Sequence, residues 1–133
     1  MKRKVYCVYI LLLVVTFSQC HSRNRTLHKK LVEMSQEVNQ SAPVMLDTYT
    51  RFDGASVTKD NIFQYCYTVL KSSDSDSLLG TRAHEIRQSM IREFSSNPQL
   101  GIFKMNRVSV AYCYLDEKGD TIQTLWIHPE DYQ

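Results

Sequence analysis

Four stretches of this chain carry apolar residues at every second position, and two others carry them at every third or fourth, so helices must layer on a sheet. The first alternating stretch, VMLDTYTRFDG, sets Val44, Leu46, Thr48, Thr50 and Phe52 against Met45, Asp47, Tyr49, Arg51 and Asp53. It reads as one strand closed by an Asp53-Gly54 turn. Ile62 to Leu70 follows, with Phe63, Tyr65, Tyr67 and Val69 on one face and Gln64, Cys66 and Thr68 on the other. Arg107 to Leu115 alternates Val108, Val110, Tyr112 and Tyr114 with Ser109, Ala111 and Cys113, and the turn Asp116 to Asp120 leads into a fourth strand, Thr121 to His128.

The helical stretches precede each pair of strands. Leu27, Leu31, Met34 and Val38 form one stripe between Asn24 and Gln40, ended by Ser41-Ala42-Pro43. After the polar loop KSSDSDS, a cap at Ser75 or Ser77 starts a second helix carrying Leu79, Ala83, Ile86, Met90 and Phe94. Asn97-Pro98 breaks it, and a short helical piece passes through Leu100 and Phe103. The order α-β-β-α-β-β predicts an α+β domain, a four-stranded antiparallel sheet with two helices packed on one face. Phe63, Val69, Val108, Val110, Phe52 and Leu46 are the larger apolar set and should lie under the helices. Cys66 and Cys113 then share the open face.

The N-terminus sets the compartment. Lys2, Arg3 and Lys4 precede an uncharged run from Val5 to Phe17 and a small, polar zone, the form of a secretory signal over residues 1–22. A helix over that run spans about 20 Å, short of a bilayer core of about 30 Å. Cleavage after Ser18 or after Ser22 is open, and so is lipidation of Cys20 in a bacterial lipoprotein signal, where Phe17 and Gln19 depart from the usual pattern. Residues 23–133 suit a single domain. The three leader cations leave with the segment, so the mature chain would carry 13 Lys and Arg against 14 Asp and Glu. That balance gives no argument for nucleic acid or acidic membranes, and membrane contact is expected only through a lipid on Cys20.

Cys66 and Cys113, each inside a Tyr-Cys-Tyr tripeptide, remain as a pair for an oxidising compartment. They could bridge if the strands set them directly opposite. A nucleophilic cysteine needs a nearby base, and only His21, His28, His84 and His128 are available. His84-Glu85-Ile86-Arg87-Gln88 has Gln88 where a zinc helix needs its second histidine, so no metal and no cofactor are expected. Asn24-Arg25-Thr26 and Asn39-Gln40-Ser41 would accept glycans only in a eukaryotic secretory pathway. The most concentrated polar constellation is Asp47, Tyr49, Arg51 and Asp53, which alternation places on one face. It is a salt-bridged solvent face or a binding site in which Arg51 grips a carboxylate or another anion.

Several of these positions resemble a group of small bacterial envelope proteins of unassigned function. They are Pro43, Met45, Asp47, Thr50, Arg51, Phe52 and Asp53; Phe63, Tyr65, Tyr67 and Thr68; Ser96, Asn97, Pro98 and Leu100; Tyr112 and Tyr114. The resemblance implies a secreted or lipid-anchored protein of the periplasm or envelope, and carries no activity. Such proteins often have a cysteine before Ser-Asn-Pro and another near the C-terminus, where this chain has Ser95 and Tyr132. One disulfide position exchanged for another is what that departure implies. The leading expectation is a non-enzymatic module binding another envelope protein, as an inhibitor, immunity factor or assembly accessory. The alternatives are a small hydrolase or transferase using Asp47, Arg51 and Asp53, and a eukaryotic secreted cystatin-like inhibitor.

Overall fold

The computed structural model describes residues 23–70 and 75–133, without the side chains of residues 75–79 and 81. The expected signal, Cys20, residues 71–74 of the KSSDSDS loop and the side chains of Ser75 and Ser77 lie outside the described residues, while the backbone from Ser75 onward is already helical. A helix over residues 23–39 (α1) leads into β1 (Val44–Met45), β2 (Thr50–Val57) and β3 (Phe63–Val69). Helix α2 (Ser75–Ser96), a 3-10 turn (Pro98–Leu100) and α3 (Gly101–Asn106) carry the chain to β4 (Val110–Leu115) and β5 (Thr121–Ile127). A last turn of helix, α4 (Pro129–Tyr132), closes the chain.

The architecture is α+β, but the expected four-stranded antiparallel sheet needs two corrections. The sheet has five strands in the order β1-β2-β3-β4-β5, because the stretch taken as one strand from Val44 folds back on itself between Met45 and Thr50. The central pair, β3 and β4, is parallel, whereas its neighbours are antiparallel. The cause is the connection. A hairpin reverses the chain, but the helical crossover from Val69 to Val110 carries it back to the end from which β3 started.

Strand parity holds for β3, β4 and β5, whereas Leu46, expected under the helices, is exposed in the turn after β1. Phe63, Val110, Tyr112, Tyr114, Leu125 and Ile127 are buried in one core with Leu31, Phe94, Phe103, Val108 and Tyr132, and Leu27, Met34, Val38, Ile86 and Met90 pack against it. The helices therefore cover this face. Tyr65 stacks on Tyr112 and Tyr67 on Tyr114, with ring centroids 5.0 and 5.1 Å apart, across the parallel pair. Phe103 joins the layers: it meets Phe63 of the sheet and Phe94 of α2 edge-on at 5.4 and 5.5 Å. Each fully buried aromatic of this kind contributes roughly 2 to 3 kcal/mol.

Asp53-Gly54, expected to end a strand, instead forms a bulge inside β2. Phe52 pairs with Tyr67 and Gly54 with Cys66, leaving Asp53 as the extra residue. The insertion resets the side-chain parity, so that Phe52 before it and Ala55 after it both face the core. Gly54 has φ of +146°, a conformation that L side chains rarely adopt.

Candidate functional site

The polar stripe does not lie on one strand. Asp47 sits in the reversal between β1 and β2, where its Oδ1 accepts hydrogen bonds from the amides of Tyr49 and Thr50, both at 2.7 Å. These amide bonds, that of Tyr49 foremost, hold its carboxyl below the usual carboxylate range. The turn is closed by Leu46 N donating to Thr50 O at 2.9 Å and tied to the sheet by Leu70 N donating to Tyr49 O at 2.7 Å. Asp47 is thus spent on shaping the hairpin that displays Tyr49.

Arg51 and Asp53 stay on the open face. The Arg51 guanidinium donates to Asp53 Oδ1 at 2.5 Å and to Thr68 Oγ1 at 3.3 Å, while Thr68 donates to Asp53 Oδ2 at 2.5 Å. The three side chains brace the bulge across β2 and β3. Of the four expected residues the structure brings two together and puts the other two in the turn.

Sequence reasoning missed what the turn exposes. Val44, Met45, Leu46 and Tyr49 are 40, 46, 58 and 54% exposed, and they gather on one two-residue edge strand and its turn. The other large apolar side chains exposed among the described residues, Met105 and Trp126, lie elsewhere, on α3 and β5. The signal was present in the apolar Val-Met-Leu run before Asp47, but a strand reading buried half of it.

Where β1 stops, α1 takes over the edge of β2. Asn39 Nδ2 donates to Ala55 O at 2.8 Å and Asn39 Oδ1 accepts from Ala55 N at 2.6 Å, which pairs both backbone groups as a neighbouring strand would. The nitrogen that a glycan would occupy in Asn39-Gln40-Ser41 is the one donating to Ala55. A hydrogen bond between Asn61 and Asn24, and one of 2.8 Å between Asn61 and His28, fix the start of α1 against the β2–β3 loop at the opposite end of the sheet from Tyr49.

The cysteines stand directly opposite each other, Cys66 against Cys113, with both thiols free and half-buried. The strands between which they stand are parallel rather than antiparallel. Burial pushes the Cys66 thiol up, and Cys113 and the charge of Asp53 add to it, which keeps it protonated at neutral pH. Among the described residues no three His, Cys, Asp or Glu side chains converge, so a metal ion that needs three or more such donors has no site there. His84 and Glu85 are exposed on α2. No helix among the described residues is long and apolar enough to cross a membrane.

At the C-terminus, Tyr132 is buried and its hydroxyl donates to Val108 O at 2.6 Å. Asp131 accepts from the His128 amide at 2.8 Å and pairs with Arg87 of α2 at 2.6 Å. The amide, then the arginine, hold its carboxyl below the ordinary range.

The fold is shared with solved structures at low sequence identity. A Pseudomonas aeruginosa protein described as secreted superposes with a TM-score of 0.71 at 14% identity, over 83% of this chain and 96% of that one. The pilotin EpsS of the Vibrio vulnificus type 2 secretion system gives 0.64 at 10% identity, over 85% and 97%. The type II secretion system pilotin AspS of Vibrio cholerae gives 0.57 at 10% identity, over 84% and 97%. No curated protein sequence matches. A family model matches residues 26–123, from the first turns of α1 into β5, and the chain belongs to that family, the Domain of unknown function (DUF8479).

Proposed function

We propose that this protein is an exported, non-enzymatic accessory of the bacterial cell envelope, and that it binds another envelope protein through the β1–β2 hairpin. The observation that carries this reading is the gathering of Val44, Met45, Leu46 and Tyr49 in solvent at one sheet edge. Exposed apolar side chains are ordinary when scattered; gathered on a braced hairpin they form an anchor for an apolar surface. Asp47 shapes the turn, and Arg51, Asp53 and Thr68 stiffen the strand behind it, so the patch is held in one geometry before the partner arrives. A fold in common with a secreted protein and with two secretion-system pilotins supports an assembly role.

The same reading takes residues 1–22 as an export signal, with Cys20 as the lipidated residue if the protein is anchored. The start of α1 lies at the end of the sheet away from the hairpin, so a tether there would leave the patch facing outward. The test is a photo-crosslinking side chain at Leu46, compared with one at Arg82 on the exposed side of α2. Position 46 should capture one discrete envelope protein that position 82 does not. Tyr49→Ala should abolish that capture while shifting Tm by no more than about 2 °C, as for surface changes. Equal capture from both positions, or capture of lipid alone, would overturn the proposal.

A further inference from the structure

We propose that Cys66 and Cys113 form a two-thiolate site for a soft monovalent metal ion of the copper(I) class. The site is independent of the hairpin, on the sheet face that the helices leave open.

Its geometry follows from the parallel pairing. Cys66 and Cys113 are lateral neighbours in the ladder, and their side chains leave the sheet on the same side. Neighbouring strands run about 4.7 to 4.9 Å apart. Two metal–thiolate bonds of about 2.3 Å placed in line span about 4.6 Å, so an ion between the sulfurs fits without moving either strand. A disulfide asks more of the backbone, since it draws the Cβ atoms to about 3.8 Å.

The surroundings select the ion. The residues beside the pair in the same row are Gly54 on β2 and Thr124 on β5. With no third His, Cys, Asp or Glu converging among the described residues, an ion that requires four strong donors is not satisfied here. Soft thiolates favour copper(I), and a closed-shell monovalent ion is content with two of them. Binding releases both protons: M⁺ and two thiols give one anionic bis-thiolate complex and two H⁺, with no change of oxidation state. The guanidinium of Arg51, on the same face one row away beside Thr68, offsets part of the negative charge that the complex and Asp53 share.

The experiment is an anaerobic titration of the reduced protein with copper(I) against a chromophoric chelator, with silver(I) as a redox-inert second probe. One ion per monomer should bind, giving a sulfur-to-metal charge-transfer band, and Cys66→Ser or Cys113→Ser should each weaken binding at least about 100-fold. Both variants keep a small side chain, and circular dichroism establishes that they are folded. Binding by either folded variant within tenfold of the native protein, or one ion shared by two chains in size-exclusion chromatography, would overturn the assignment.

Discussion

Replacing Asn39 by alanine tests how the free edge of β2 is held. The side chain makes two hydrogen bonds to Ala55, of 2.6 and 2.8 Å, and Ala55 itself is 8% exposed. A net hydrogen bond is worth about 0.5 to 1.5 kcal/mol, and a buried backbone group left without a partner costs about 1 to 3 kcal/mol. Asn39 is exposed, so water can reach part of the vacated edge, and the two bonds together come to about 1.5 to 2 kcal/mol. With an unfolding entropy of about 2.1 cal/mol/K per residue over a domain of this size, Tm should fall by about 6 to 9 °C. Asn39→Asp discriminates edge pairing from general packing. It keeps the acceptor for Ala55 N but turns the donor into a carboxylate oxygen facing Ala55 O, so its folded-state pKa rises. Its penalty is therefore largest at neutral pH and relaxes as pH falls through that raised value. The assay is thermal unfolding by circular dichroism at about pH 7 and about pH 4. An alanine variant within about 2 °C of the native protein, or an aspartate variant insensitive to pH, would refute the edge-pairing argument.

Two further outcomes follow from the C-terminus. Tyr132→Phe keeps the buried ring but removes the donor to Val108 O, and should cost about 1 to 1.5 kcal/mol in denaturant unfolding with an unchanged m-value. Asp131 has a depressed carboxyl, so its contribution is complete above the unfolded-state value of about 3.9 and is lost as pH falls through the lower folded value. Asp131→Asn should therefore be less stable than the native protein near neutrality, and the difference should shrink as pH falls through the lowered folded value.

Much of this architecture was legible because one face of each strand is buried. Phe63, Tyr65, Tyr67, Val110 and Tyr112 declared their face by parity, and that alone placed both cysteines opposite the helices. The failures came from backbone features that parity cannot see. Asp47 continues the alternation of VMLDTYTR while its side chain captures two amides and turns the chain. Asp53-Gly54 has turn composition, yet here an extra residue in a paired strand supplies the same freedom and keeps Phe52 and Ala55 on one side. The direction of β4 was recoverable from the long helical connection. The exposed edge was not, because nothing in Val44-Met45-Leu46 distinguishes a buried strand from a displayed one.

The parallel pairing of β3 with β4 also orders events during folding. The β2–β3 and β4–β5 hairpins join neighbours in sequence and can close in about 1 to 10 μs. The seam between them must wait for α2 and α3 to be laid across the sheet, because its contacts are the most distant along the chain of any ladder in the sheet. The nascent chain is therefore two separate ribbons before it is one sheet. Cys66 and Cys113 mark the suture: strangers until the last step, they become neighbours only when the domain is whole.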